Sequence, residues 1–139
     1  MTTLNIPSLL SETVQPDVET KAAAPDSILD RAAGAANREV WNRVIDRNLV
    51  EWGVRPPDSG EEGFVPPTPT VIGLACQWAQ RLRDIGVAAP QRVVPDGDGG
   101  IAFERSDQEW FSSLDILADR SVELLTFRNC RLVTRQPLQ

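Results

Sequence analysis

Residues 91–104, QRVVPDGDGGIAFE, are the stretch that decides the fold of this chain. Its first apolar run is β-branched and favours a strand, which Pro95 ends because proline cannot donate to a strand ladder. The run Asp96–Gly100 supplies aspartates and glycines, which tolerate the positive φ that tight turns require. A second apolar run starts at Ile101. The stretch therefore predicts a β-hairpin, placed where a helical half of the chain gives way to a β half.

Short turns separate the strand-like runs that follow the hairpin, which is typical of an antiparallel meander. We predict a meander of three to four strands, to which the Arg-rich segment at the C-terminal end adds a short edge strand. The predicted strands cover about residues 91–95, 100–105, 110–117, 122–128 and 131–135.

A helix is predicted over residues 69–85, before the hairpin. Thr68 caps its first turn and Pro69 takes the first helical position, the preferred arrangement at a helix N-terminus. Its apolar residues recur at helical spacing and form one face. Packed on one face of the meander, this helix gives residues 69–139 an α+β fold with two layers.

The N-terminal half divides into three predicted segments. Residues 1–25 form an arm that is either a frayed leader or a segment that orders against a partner. Residues 26–53 form one long amphipathic helix from Asp26 to the stop at Gly53, with a kink at Gly34. A break at Gly34 followed by a new cap at Asn37 is the alternative. Residues 54–68 form a loop rich in proline, glycine and acids.

The composition excludes several classes of protein. A net charge of −6 and a pI near 4.6 argue against a nucleic-acid binder, which normally presents a basic surface. No apolar run approaches the roughly 18 residues of a membrane span, and the N-terminus lacks the pattern of a secretory signal. The two cysteines form no disulfide framework, so we expect a cytoplasmic protein with reduced thiols.

The chain contains no histidine, which removes the usual catalytic triads, imidazole ligands and acid–base groups near neutral pH. We therefore expect no enzyme activity, no metal, no cofactor and no small-molecule substrate. An acid-based or metal-dependent hydrolase using Asp96, Asp98 and Glu104 is the less favoured alternative. The spacing only partly matches a calcium loop, because Ile101 stands where that loop needs glycine. Cys76 lies on the apolar side of its helix and is read as a core residue.

The first predicted helix carries more apolar surface than a small sheet can cover. A helix of about 26 residues is about 39 Å long, whereas strands of five to seven residues span about 17–23 Å. Part of the stripe is therefore expected to contact a partner protein, with tryptophans as anchors. The predicted contact residues are Leu29, Val40, Trp41, Val44, Ile45 and Trp52.

Four features of the middle of the chain occur together: Trp52-Gly53, Arg55-Pro56, the helix from Pro69, and the hairpin segment from Pro90 to Glu104. With them the segment from Leu49 to Leu117 resembles a broad group of small uncharacterised bacterial proteins. Their hairpins follow the pattern P-x-V-x-P-x-x-D-G-G-I-x-F-E. This chain departs from the group at Arg105, where tryptophan is common, and in its long N-terminal helix. The group has no established catalytic residues, and its members often look like one half of a toxin–antitoxin or defence gene pair.

These observations lead to one functional hypothesis and one alternative. We expect a non-enzymatic bacterial interaction module, antitoxin-like or a regulatory subunit, that binds a partner protein through its N-terminal arm and first helix. The alternative is a homo-oligomer with a structural or scaffolding role, in which first helices of two copies pack on each other.

Overall fold

Helices pack on one face of a five-stranded antiparallel sheet in the computed structural model, which describes residues 34–138. The predicted arm at 1–25, the start of the first predicted helix and the predicted contact residue Leu29 lie outside the described residues. The prediction of an α+β fold with an antiparallel sheet is confirmed.

The strands follow one another across the sheet in chain order, as a meander does. They are β1 (Arg92–Pro95), β2 (Ile101–Asp107), β3 (Trp110–Ile116), β4 (Val122–Arg128) and β5 (Arg131–Leu138). The prediction of three to four strands was too low, because β5 is a full strand of 8 residues. Pro137 does not end it, since an edge strand tolerates a residue that donates no hydrogen bond.

The predicted hairpin is formed by β1 and β2, with Val93 opposite Phe103. Its turn is held by Asp96, whose carboxylate accepts hydrogen bonds from the backbone N–H groups of Asp98 (2.7 Å) and Gly100 (2.8 Å). The preceding loop is tied to the same turn, because Val65 N–H donates to the carbonyl of Gly97 over 2.9 Å. The turn chemistry of aspartate and glycine thus positions both the hairpin and the loop.

The helix before the hairpin, α3 (Pro69–Asp84), has the predicted N-terminus. The Thr68 hydroxyl accepts a hydrogen bond from Val71 N–H over 3.2 Å, and Pro69 occupies the first turn. The helix buries its apolar face against the sheet. The buried side chains of α3 are Val71, Ile72, Ala75, Trp78, Ala79 and Leu82.

The first helix differs from the prediction of one long α-helix. Gly34 adopts φ 99° and ψ 170°, which is not helical, so the described helix begins at Ala35 and does not continue through Gly34. It consists of α1 (Ala35–Arg43), a π-helical segment π1 (Val44–Leu49) and α2 (Val50–Val54). Asn37 lies inside α1 and is not its cap. The wider turn of π1 keeps Val44 and Leu49, five residues apart, on the buried side.

The apolar stripe of the first helix packs within its own chain. It lies against α3 and the hairpin: the Trp41 ring meets the Phe103 ring edge-on, with 6.0 Å between centroids and 75° between planes. Trp41 Nε1–H donates to the carbonyl of Val87 over 2.7 Å, and Asn37 bonds both that carbonyl and the N–H of Ala89. The described part of the stripe, which the sheet alone was not expected to cover, is covered by α3 and the hairpin; the part before Gly34 lies outside the described residues.

Candidate functional site

The sheet has two chemically different faces. Side chains at alternate positions of β2, β3 and β4, such as Phe103, Leu114 and Leu124, point toward the helices and form the core. The intervening positions form the other face, here called the outer face. None of the helices described between residues 34 and 138 packs on the outer face. Ala102, Ser113 and Leu125 on that face are nevertheless buried, and the face is more open at the end that carries Phe111 and Phe127.

A row of side chains crosses the outer face at the end where the β2–β3 and β4–β5 turns lie. The strand register places Ser106 opposite Phe111, Phe111 opposite Phe127, and Phe127 opposite Leu132. The two phenylalanine rings are 5.9 Å apart between centroids and tilted by 54°, within the range of attractive aromatic pairs. Both rings are half-buried, and Leu132 is 50% exposed. We call Phe111, Phe127 and Leu132 the apolar row.

A cavity of about 400 Å³ opens beside the apolar row. Its apolar part comes from Trp110 and the two phenylalanines, and its polar rim from the two turns. The volume lies within the range of about 300–1,000 Å³ that is typical of ligand sites. The cleft is open to solvent, however, so it suits a side chain of a bound polypeptide better than a small molecule that must be enclosed. We call this cavity the aromatic cleft.

The two turns that border the aromatic cleft are fixed to each other. The N–H of Asn129 donates to the carbonyl of Glu109 over 2.9 Å, and Arg128 Nε donates to the Glu109 carboxylate over 2.8 Å. The Arg128 guanidinium also lies 5.4 Å from the centre of the Trp110 ring. Asn129 and Cys130 both have positive φ (50° and 68°), as a tight hairpin turn requires. The rim of the cleft is therefore held in place before anything binds.

Strand β5 is the edge of the sheet next to the apolar row. Only β4 pairs with it among the described strands, so its other side offers backbone donors and acceptors. Val133 is 48% exposed, at the point where the register between β4 and β5 shifts. Arg131 and Arg135 are also exposed, and Arg135 lies 3.6 Å from Glu123. The edge thus combines apolar and cationic side chains.

The opposite end of the outer face is acidic. Asp115 pairs across the strands with Glu123 and accepts a hydrogen bond from the Ser113 hydroxyl. Burial raises the pKa of Asp115; the Ser113 bond lowers it, while the negative charges of Glu123, Asp96 and Glu104 raise it further. The carboxylates therefore repel each other across this end of the face.

Two of the three residues of the hydrolase alternative are engaged in contacts of their own. The Asp96 carboxylate is turned onto the backbone of its own loop, and Glu104 is 3.4 Å from Arg92 in an ion pair. Within residues 34–138, no group of three or more Cys, Asp or Glu side chains is arranged to hold a metal ion.

The predicted contact residues lie mostly inside the chain's own core. Trp41 is 1% exposed, and Val44 and Ile45 are both buried. Val40 and Trp52 are half-buried and pack against the same core. Trp41, Val44 and Ile45 cannot reach a partner while the fold is intact, which corrects their predicted role, whereas Val40 and Trp52 keep part of their surface exposed. The exposed apolar residues of the first helix are Val50 and Val54.

The two cysteines lie in different environments. Cys76 is half-buried on α3, where burial and then the negative charge of Asp46 raise the pKa of its thiol, so it is a poor nucleophile. Cys130 is exposed in the β4–β5 turn at the aromatic cleft. The reading of Cys76 as a packing residue agrees with this environment.

Sequence reasoning missed the apolar row. The signal was present in the alternation of Trp110–Ile116 (WFSSLDI), where Phe111 falls on the side opposite Leu114 and Ile116. Only the cross-strand register brings Phe111, Phe127 and Leu132 together. The register depends on the turns, and the sequence does not fix the position of each turn to a single residue.

No protein-family model, curated protein or solved structure matches the sequence. The resemblance to small bacterial proteins therefore stays an expectation. No helix described between residues 34 and 138 is long and apolar enough to cross a membrane.

Proposed function

We propose that this protein is a non-enzymatic interaction module that binds an extended segment of a partner protein along β5 and the apolar row. The single observation that carries the proposal is the alignment of Phe111, Phe127 and Leu132 beside an edge strand that pairs only with β4 among the described strands. The partner surface is thus moved from the first helix, whose stripe is buried, to the sheet.

Backbone pairing supports an extended partner segment. An exposed sheet edge binds a peptide as an added strand, with main-chain hydrogen bonds giving affinity and side-chain pockets at alternate positions giving specificity. Residue Leu132 and its neighbour Val133 would face alternate side chains of such a segment. The aromatic cleft beside them would take one large apolar side chain, and rigid aromatic rings are favoured at the centre of such contacts.

Charge favours a partner segment that is acidic as well as apolar. Strand β5 carries Arg131 and Arg135, and Arg128 stands at the turn before it. Arg131 forms no ion pair with a carboxylate of residues 34–138. A partner strand with alternating apolar and acidic residues would match this edge. In the antitoxin-like or regulatory version of the proposal, that strand belongs to the second protein of a gene pair.

The same charges disfavour the homo-oligomeric alternative at this edge. Two copies that paired through β5 about a twofold axis would bring Arg131 and Arg135 of one copy toward those of the other. Like charges directly opposite each other destabilise a strand pair. The edge therefore suits a different chain better than a second copy.

Selection from a random peptide display library on the intact protein tests the proposal. Peptides that alternate apolar and acidic residues are expected to be enriched, and their binding should protect β5 amides from hydrogen exchange. Leu132→Glu should weaken a selected peptide by about tenfold or more, because it places an acid in the apolar row. Val54→Glu is the control, since Val54 is also an exposed apolar residue but lies on the first helix.

The outcomes separate the alternatives. Peptides that bind Leu132→Glu as well as the natural protein, but lose affinity for Val54→Glu, would return the contact to the first helix. A natural protein that is dimeric in light scattering, and becomes monomeric with Leu132→Glu, would favour the homo-oligomer.

A further inference from the structure

A second cleft lies between α3, the β3–β4 turn and the end of β5, away from the aromatic cleft. It encloses about 260 Å³ and is lined by Trp78 and Arg81 from α3, by Arg120 and Ser121 from the turn, and by Val122 and Pro137 from the sheet. We call it the arginine cleft. Pro137 and Leu138 place it at the end of β5 opposite to the apolar row and the aromatic cleft.

The charge in the arginine cleft opposes that of the whole chain. The sequence has 20 acidic and 14 basic residues, yet the residues that line this cleft include two arginines and no acid. Neither Arg81 nor Arg120 forms an ion pair with a carboxylate of the described residues. The nearest acid along the chain, Asp119, is occupied by the N–H (2.9 Å) and hydroxyl (2.6 Å) of Ser121. These bonds lower the pKa of Asp119, so it stays an acceptor for Ser121.

The Arg81 guanidinium is positioned before a ligand arrives, whereas only the backbone of the exposed Arg120 is fixed. Arg81 lies over the Trp78 ring, 5.2 Å from its centre, and Trp78 is itself buried. Arg120 is held by its backbone: its N–H donates to the carbonyl of Leu117 over 2.8 Å. A guanidinium held by an aromatic ring keeps its fork of donors ordered, which reduces the entropy that binding must cost.

Gln77 and Ser121 add polar groups to the cleft, and its remaining walls are apolar. Val122 is buried, and with Leu74 and Pro137 it offers a surface that a hydrocarbon body can cover. An inorganic anion would leave that surface wet, whereas an organic acid would fill it. The volume is slightly below the usual range of about 300–1,000 Å³, so the ligand must be small or present only its terminal residue.

We propose that the arginine cleft binds the carboxylate of a small apolar acid. The carboxylate accepts hydrogen bonds from Arg81 and Arg120, and the apolar body packs on the walls formed by Val122 and Pro137. The carboxylate could be that of a free aromatic or aliphatic acid, or the terminal carboxylate of a peptide. Both sources share one chemistry, and this site revises the expectation that the protein has no small-molecule ligand.

Titration of the isotope-labelled full chain with benzoate, followed by amide and indole NMR signals, tests the proposal. Saturable shifts are expected at the Trp78 indole N–H and the Ser121 amide. Benzamide has the same shape without the charge and should bind at least about tenfold more weakly, as should benzoate to Arg81→Gln or Arg120→Gln. Arg131→Gln is the matched control, because it removes an exposed cation outside the cleft.

A second arm distinguishes the two sources of carboxylate. An acetylated tripeptide ending in leucine is titrated beside its C-terminal amide and beside benzoate. If the tripeptide acid binds more tightly than benzoate, the site is assigned to peptide termini. If it binds more weakly than benzoate, the site is assigned to free acids. Equal shifts with benzoate and benzamide, no saturable shift at Trp78, or an Arg131→Gln effect as large as that of Arg120→Gln would overturn the proposal. The β5 proposal is tested at Leu132, at the other end of that strand from Pro137, so the failure of one proposal does not decide the other.

Discussion

The replacement Trp41→Phe is the sharpest test of how the first helix is used. Trp41 is 1% exposed and its indole N–H donates to the carbonyl of Val87 over 2.7 Å. Phenylalanine keeps an aromatic ring against Phe103 but loses the donor and part of the ring volume. The isolated protein should therefore lose stability without any partner present. If Trp41 were instead an anchor for a partner, the isolated protein would be indifferent to the change.

The expected loss has two parts of similar size. The missing hydrogen bond costs about 1 kcal/mol, the lower end of the range of about 1–3 kcal/mol for a buried polar group that loses its partner. The cost is low because Asn37 still donates to the Val87 carbonyl over 3.0 Å. A residual cavity of about 40 Å³ costs about 1 kcal/mol more, at about 24 cal/mol per Å³. The total of about 2 kcal/mol corresponds to a decrease of about 7–10 °C in Tm, because a domain of this size has an unfolding entropy of about 0.2–0.3 kcal/mol/K.

Urea unfolding, with the midpoint and slope fitted together, is the appropriate assay, and Trp110→Phe is the matched control. Trp110 is half-buried at the end of the sheet, where it packs on Arg128, and its loss should cost less than about 1 kcal/mol. A Trp41→Phe protein that is as stable as the natural one, or more stable than Trp110→Phe, would refute the placement of Trp41 in the core. The first helix would then regain its place as a partner surface.

Two further changes test the hairpin turn and the outer face. Gly100→Ala should destabilise the protein by about 1–3 kcal/mol in urea unfolding, because its Cβ would lie 2.6 Å from the carbonyl oxygen of Ile116. Gly73 on α3 has open space around it, so Gly73→Ala should stabilise the protein by about 0.5–1 kcal/mol. Equal effects of the two substitutions would contradict the turn geometry. Asp115→Asn should stabilise the protein at neutral pH by less than about 1 kcal/mol. The fold raises the pKa of Asp115 above its ordinary 3.8. Below pH 3.8 the carboxyl is protonated in both the folded and the unfolded chain and costs no stability. As the pH rises through the raised pKa, the ionised carboxylate destabilises the natural protein. The advantage of the asparagine variant should shrink toward acid pH, and a constant or reversed difference would show that the carboxylate is not under strain.

Local chemistry made much of the fold predictable from the sequence. The helix at Pro69–Asp84 carries its own start signal, and the hairpin carries its own turn, so both were placed to within about two residues. Strand β4 lies where it was predicted, over Val122–Arg128. Each of these elements is determined by neighbours in sequence. That is why a reading of local patterns suffices for them.

The features that depend on distant residues were not predictable. The π-helical turn at Val44–Leu49 arises where the first helix must present its apolar residues to α3, and no local pattern encodes it. A periodic stripe likewise shows that Trp41 is buried somewhere, but not whether its own chain or another one covers it. For the candidate site, the sequence shows the phenylalanines of the apolar row but not that they are in contact, because the contact depends on the strand register.

The hydrogen bonds of Asn37 and Trp41 to Val87 have a consequence for synthesis on the ribosome. The bonded residues are 50 and 46 positions apart, so the first helix leaves the ribosome well before the segment it docks on. At a translation rate of about 5–20 residues per second, that interval lasts about 2–10 s. During it the apolar face of the helix is exposed, because the segment that covers it has not been synthesised. A nascent chain stalled before Val87 should therefore recruit a chaperone that binds exposed apolar helices, and release it once Phe103 has emerged.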